Sequence, residues 1–277
     1  MRILVTNDDG IDSIGLHVLA RSLVHLGDVV VGAPDSEYSG ASAACGSMKD
    51  MKPVLHEAHI DGVAEAWTLN GPPALCVIFS RLGAFGEPFD LVVSGINPGA
   101  NVGWAVNHSG TIGAAVTARA GGVTGVAVSQ AVTGGAVMGQ GWDEMIKDLK
   151  WETAGKVAAA AVEEIIERPP AEAGVLNINV PNLELDELKG VRRTAVAHRP
   201  RRALSTIDIV PQEGHQGAYD LKFNFGAAPE EEPGFGLDED VGAVAAGYVS
   251  TTWLSRAQAI EFPQGEAAIE AIDGLVG

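Results

Sequence analysis

Asn7, Asp8, Asp9 and Gly10 stand where a short apolar run, residues 3–5, stops. Two adjacent carboxylates repel each other and resist desolvation unless something positive sits between them. A hard divalent cation meets that need. The alternative is an Asx-rich turn in which Asp9 caps the next helix. Two further apolar runs end in the same way. Residues 28–34 (DVVVGAP) hand over to Asp35, Ser36, Glu37, Tyr38, Ser39, Gly40, Ala41 and Ser42, and residues 90–94 (DLVVS) to Gly95, Ile96, Asn97, Pro98, Gly99, Ala100 and Asn101. If the three runs are parallel strands, Asp8, Asp9, Ser39 and Asn97 converge on one edge of one sheet. Carboxylate, hydroxyl and amide oxygens suit Mg²⁺, Mn²⁺ or Ca²⁺ better than a metal that prefers thiolates.

An anion site is expected nearby. Ser109, Gly110 and Thr111 precede an alanine-rich segment, residues 112–120, that reads as a helix. Hydroxyls and free N–H groups at a helix start favour phosphate, while an ordinary N-cap is the simpler use of Ser109. Leu91 to Ala118 contains no Lys or Arg. A phosphate bound there must therefore be held by metal, amides and hydroxyls.

Positioning such groups requires an α/β unit. Residues 11–26 form an amphipathic pattern, with Ile11, Ile14, Leu16, Leu19, Leu23 and Leu26 roughly on one side. Strand, polar turn and helix open an open-sheet fold whose ligands bind beyond the carboxyl ends of the strands. Further strands are expected over residues 125–129 and 175–180. A helix is expected over residues 151–168, ended by Pro169 and Pro170. The fold class expected is a Rossmann-like three-layer α/β/α arrangement with a mostly parallel sheet and a C-terminal β-rich arm. Three parts are expected: an α/β catalytic core over residues 1–190, an arm with an acidic loop over 191–245, and a strand and helix returning to the core over 246–277. The arm region carries Arg192, Arg193, Arg199, Arg201 and Arg202, for which a solvated hairpin is the simpler reading.

Composition narrows the function. The chain has 277 residues, 46% of them hydrophobic, enough to bury a full core. A formal net charge of −18 excludes a sequence-independent grip on nucleic acid and makes a local cation more necessary for a phosphate substrate. Cys45 and Cys76 form neither a disulfide framework nor a metal spacing. With no basic, apolar leader at the start, a cytoplasmic location is expected. Residues 120–142 lack charge after Arg119 but are too rich in glycine and hydroxyl groups for a membrane span, and read as a buried strand followed by a glycine-rich loop. His56 and His59, spaced H-x-x-H, have no helical context and read as surface residues.

NDDG after the first strand, Ser-Gly-Ala-Ser at 39–42, SGIN…GAN…G from Ser94 to Gly103, and SGT…GAA from Ser109 together resemble the SurE (survival protein E) family. LNINVP at 176–181 and DEDVGAVAAGYVST at 238–251 extend the resemblance over most of the chain. The resemblance implies a metal-dependent phosphatase of nucleoside monophosphates. Asp8, Asp9, Ser39 and Asn97 would be ligands of one divalent ion per subunit, Mg²⁺ or Mn²⁺, with Ca²⁺ as a substitute. Gly40, Ser42, Ser109, Gly110 and Thr111 would surround the phosphate, and Asn7, Asn101 and Trp104 complete the expected substrate-binding set. The resemblance also implies a homodimer or homotetramer joined through the C-terminal arm. Where the family carries acids, this chain has Leu75, Trp104 and Ala105.

The reaction expected is hydrolysis of a phosphomonoester of a small substrate, with Asp8 or Asp9 as general base, Asp8 favoured. Alternatives are a phosphatase specialised for another small phosphomonoester and a non-catalytic metal- and nucleotide-binding module. A redox enzyme is disfavoured because the first turn is NDDG, not G-x-G-x-x-G. The tryptophan offers a flat face for a base, although packing against its own loop is the commoner fate of a lone tryptophan.

Overall fold

The central strands are apolar on both faces, so both faces of their sheet must be covered. A computed structural model describes residues 1–46, 52–132, 146–198, 205–225, 234–257 and 270–273. In strand β1 (Arg2–Thr6), Ile3 and Val5 face one way and Leu4 the other, and all three are fully buried. The remaining strands are β2 (Asp28–Pro34), β3 (Leu55–Ala58), β4 (Glu65–Leu69), β5 (Leu91–Pro98), β6 (Thr124–Gln130), β7 (Val175–Val180), β8 (Val191–Arg193), β9 (Ser205–Pro211), β10 (Tyr219–Phe225) and β11 (Val249–Leu254). The helices are α1 (Ile14–Leu23), α2 (Pro73–Arg81), α3 (Gly110–Ala120), α4 (Trp151–Glu167) and α5 (Asp240–Ala245).

Nine strands form one sheet in the order β3-β4-β2-β1-β5-β6-β7-β11-β8. From β4 to β7 all neighbours are parallel, while β3 against β4 and β11 against β7 are antiparallel. The chain moves outward from β1 through β2 to β4, returns through α2 to β5 on the other side of β1, and moves outward again. The β1/β5 boundary is therefore the topological switch point, where open α/β sheets form their ligand crevice.

Helices α1 and α4 cover one face, packing Leu16, Leu19, Leu23, Ala154, Ala158 and Val162 over Ile3, Val5, Val93 and Val128. Each such leucine contributes about 1.5–3 kcal/mol by leaving water. Helices α2 and α3 cover the other face with Val77, Ala114 and Ala118 against Leu4, Val30 and Val92. The fold is a three-layer α/β/α sandwich.

Several details differ from the sequence reading. Helix α1 is shorter than residues 11–26, and Ile14 is 55% exposed rather than on the buried side, while Ile11 packs against the core from outside the helix. Leu75 is buried with Leu69 and Cys76 and serves the core. Strand β8 lies at the edge of the main sheet beside β11, and β9 and β10 form a separate antiparallel hairpin. His56 and His59 are exposed. Most of the glycine-rich loop, Arg199, Arg201 and Arg202, part of the acidic loop and most of the expected terminal helix lie outside the described residues, although residues 270–273 are helical. Among the described residues no helix is long and apolar enough to cross a membrane.

Close approach of α1 to β5 depends on Gly15, where a Cβ would lie 2.1 Å from the Ile96 carbonyl oxygen and 2.9 Å from the Trp151 ring. Gly15→Ala is expected to cost about 1–3 kcal/mol by overpacking. Thermal and urea unfolding check this, and a variant as stable as the parent would refute it.

Candidate functional site

The turn after β1 is set by local chemistry. Gly10 adopts φ +98°, and the Asn7 amide donates to the Gly10 carbonyl at 2.9 Å, closing the turn beneath the two aspartates. Tyr38 N–H donates to the Asp8 carbonyl at 2.7 Å, tying the loop after β2 to this turn. Helix α1 begins after Ser13, so Asp9 is not its cap.

Asp8 is 2% exposed. Its Oδ1 accepts the Thr111 hydroxyl at 2.5 Å, and the backbone N–H groups of Gly110 and Thr111 also donate to the carboxylate. The carboxylate therefore rests on the positive end of α3. That contact requires glycine at position 110, where a Cβ would lie 2.8 Å from both Asp8 Cβ and Oδ2. Burial still raises the Asp8 pKa, against the lowering effect of these donors. Asp9 is pushed up to about 8, chiefly by burial, then by the charges of Asp8 and Glu37. Asp9 Oδ2 is buried and has no hydrogen-bond partner.

The other expected residues divide into two groups. Asp8, Asp9, Ser39, Gly40, Asn97, Asn101, Trp104 and Ser109 line one cavity of about 180 Å³, together with Pro98, Ala105 and His108. Asn7, Ser42, Gly110 and Thr111 do not line it. Asn7 holds the turn, Gly110 and Thr111 support Asp8, and Ser42 N–H donates to the His108 carbonyl at 3.0 Å. Ser109 caps α3, its Oγ accepting Ile112 N–H at 3.1 Å, which leaves its own hydroxyl proton free to donate. Asn97 Nδ2 donates to the Gly99 carbonyl at 2.7 Å, and Asn97 Oδ1 lies 3.4 Å from the Thr111 hydroxyl. Ser39 donates to Glu37 at 2.8 Å.

The buried groups that hold Asn101 were not among the expected site residues. Asn101 N–H donates to Asn179 Oδ1 at 2.7 Å, and its carbonyl accepts the Asn177 and Asn179 amides at 2.9 and 3.2 Å. Its own amide donates to Ser129 at 2.9 Å. Two asparagines within the apolar strand pattern LNINV were the available signal, since most buried polar groups are hydrogen-bonded.

No Lys or Arg lines the cavity among the described residues. Nor do these contain a group of three or more His, Cys, Asp or Glu arranged to hold a metal. A cation here would be held by two carboxylates and neutral oxygens. The donor set fits a hard divalent ion: all its atoms are oxygen, one buried carboxylate oxygen is unpartnered, and both acids are destabilised as anions without a positive charge.

A family model described as Survival protein SurE matches residues 3–203. The chain is 38% identical over 193 residues to a 5'-nucleotidase SurE of Rhodopirellula baltica, covering 69% of this chain and 70% of that one. It is 35% identical over 257 residues to a 5'-nucleotidase SurE of Acinetobacter baylyi, covering 91% and 92% respectively. The crystal structure of a SurE protein from Aquifex aeolicus superposes with a TM-score of 0.74 at 27% identity, covering 99% of this chain and 100% of that chain.

Thr111 supports Asp8 from behind, so Thr111→Val is expected to weaken Mn²⁺ binding by about 10–100-fold, as for loss of an outer-shell partner. Thr111→Ser is expected to recover most of it. Calorimetric titration with Mn²⁺ measures both, and equal affinity in the parent and Thr111→Val would remove Thr111 from the site.

Proposed function

This chain belongs to the SurE family, and from that premise we propose that it is a metal-dependent phosphomonoesterase that hydrolyses nucleoside monophosphates at the Asp8–Asp9 cavity. The observation that carries the reading is the unpartnered, buried Asp9 Oδ2 beside Asp8 in a cavity lined by no basic side chain among the described residues.

Asp8, Asp9, Ser39 and Asn97 would hold one divalent cation, Mg²⁺ or Mn²⁺. When bound, the cation supplies Lewis-acid polarisation of a phosphoryl oxygen and neutralises developing charge. Asp8 acts as general base toward the attacking water. Thr111 and the start of α3 fix its orientation. The Ser109 hydroxyl donates to a phosphoryl oxygen as charge spreads in the transition state, with Gly40 and Asn101 at the same cavity. The water oxygen forms the new P–O bond as the P–O bond to the leaving group breaks, and the leaving oxygen takes a proton from solvent to depart as an alcohol, leaving inorganic phosphate.

Unpaired Cys45 and Cys76 agree with a cytoplasmic setting. The exposed Ile207, Ile209, Tyr219 and Leu221 of the β9–β10 hairpin support a homodimer or homotetramer formed through this arm.

Trp104 supports a substrate with a flat group. It is 57% exposed, lines the cavity and meets His108 edge-on at 5.1 Å between ring centroids, so it is not buried in its own loop. A phosphomonoester with another bulky, apolar leaving group is a second reading favoured by the same residue.

Asp9→Asn is expected to lower phosphate release from nucleoside monophosphates by more than about 100-fold, beyond the 10–100-fold typical of an outer-shell loss. Chelation is expected to abolish it, with Mg²⁺ or Mn²⁺ restoring it. Activity of Asp9→Asn near the parent at saturating metal would show that the site is misplaced.

Stacking of a base on an aromatic ring is worth about 1–3 kcal/mol. Trp104→Ala is thus expected to lower kcat/KM for purine monophosphates on the order of 10–100-fold while changing ribose 5-phosphate little. Equal losses on all substrates would assign Trp104 to structure alone.

A further inference from the structure

Resting on the nucleotidase reading of the site, we propose that Asp240 is a positioning residue for the substrate's leaving group. It pins the turn that divides the phosphoryl cavity from a second, larger cavity in which that group sits.

The turn is the 3-10 segment Gly103–Asn107, which carries Trp104 and Ala105. Both residues line the 180 Å³ cavity with the aspartates, and both also line a neighbouring cavity of about 580 Å³ with Val102, Leu183, Val241 and Val244. The two spaces differ as the two ends of a nucleotide differ. The smaller holds carboxylates, hydroxyls and amides suited to a cation and a phosphoryl group. The larger is lined mainly by apolar side chains and, among the described residues, by no charged one. Its size falls within the about 300–1,000 Å³ usual for small-molecule sites.

A five-residue turn cannot satisfy its own first N–H group. In this chain the Gly103 N–H donates to Asp240 Oδ2 at 2.9 Å. The other carboxylate oxygen accepts Ala197 N–H at 3.0 Å and Val241 N–H at 2.8 Å. Asp240 is fully buried and lines neither cavity among the described residues, so it acts on substrate only through the turn. Backbone bonds reinforce the tie: Ala195 N–H donates to the Asp238 carbonyl at 2.8 Å, and Asp240 N–H to the Ala195 carbonyl at 2.9 Å. Gly103 adopts φ +56°, a conformation that L side chains rarely take. One carboxylate thus joins the turn, the stretch after β8 and helix α5. The DEDVGA segment, which the sequence links to the family without a role, gains one here.

Asp240→Asn keeps the shape and replaces one oxygen by an NH₂ group; with the amide oxygen kept by the two donors Ala197 and Val241, the Gly103 N–H loses its acceptor. The test uses Mg²⁺-loaded full-length protein with adenosine 5'-monophosphate and ribose 5-phosphate as substrates, inorganic phosphate as inhibitor, and calorimetric binding of adenosine. In Asp240→Asn, KM for adenosine 5'-monophosphate and Kd for adenosine are expected to rise roughly 10-fold, the scale of a changed pocket contact. kcat should fall less than KM rises, and inhibition by phosphate should shift less than about twofold. Because both changes act on one turn, Asp240→Asn with Trp104→Ala should bind adenosine no worse than the poorer single variant. Leu183→Trp, which intrudes on the larger cavity without touching Asp240, should also weaken adenosine and spare phosphate, and it tests the occupant of that cavity whether or not Asp240→Asn folds. Equal losses for adenosine and phosphate, an additive double variant, or a Leu183→Trp protein with parental adenosine affinity would overturn the proposal. A parent that binds adenosine, with the Asp240 effect present, but hydrolyses neither ester would instead overturn the nucleotidase reading alone.

Discussion

Two carboxylates lie side by side at the carboxyl end of β1, Asp8 buried and Asp9 half-buried, with no cationic side chain lining their cavity among the described residues. Isolated buried charges are costly and respond by taking up protons, the direction in which both Asp8 and Asp9 are displaced. The surroundings lower that cost for Asp8 and leave it largely unmet for Asp9. Thr111 and the N–H groups that begin α3 converge on Asp8, while one oxygen of Asp9 meets nothing. This asymmetry is what a site completed by an external cation requires.

The architecture supplies the asymmetry through close approaches that only glycine permits. Gly110 lets the start of α3 rest against Asp8, and Gly15 lets α1 reach the end of β5, the strand that carries Asn97. The reversal of winding between β1 and β5 opens the crevice into which both strand ends deliver their polar residues. Across the sheet, Asn177, Asn179 and Ser129 form a buried polar scaffold that fixes Asn101 at the cavity wall. Such a network favours one arrangement because other arrangements would leave more of its buried groups unbonded.

The overall charge of −18 makes the surrounding field unfavourable to a phosphate, so attraction must be local. On the proposed reading, a hard cation held by Asp8 and Asp9 would provide it over a short range, together with the α3 start and hydroxyl groups. On the same reading selectivity would lie in the turn bearing Trp104, a residue that lines both the polar cavity and the apolar one. The C-terminal part of the chain reaches that turn through Asp240, so the site is assembled from segments 137 positions apart.

The sequence alone determined what depends on local pattern. Apolar runs ending in NDDG, in Ser39-Gly40 and in Asn97 identified β1, β2 and β5 and the groups at their ends, because strands and their terminating turns are read over a few residues. The helices α3 and α4 were legible for the same reason. The short edge strand β3, the place of β8 in the main sheet, and the 55% exposure of Ile14 were not, because neighbours distant in sequence decide whether such residues pair or pack. Only the tertiary structure revealed that Thr111 serves Asp8, that Leu75 belongs to the core, and that Asn177, Asn179 and Asp240 hold the site together. Each of those roles is a hydrogen bond or packing contact across many residues of chain. Residue types announce that a buried polar group needs a partner; only the folded geometry selects which partner it finds.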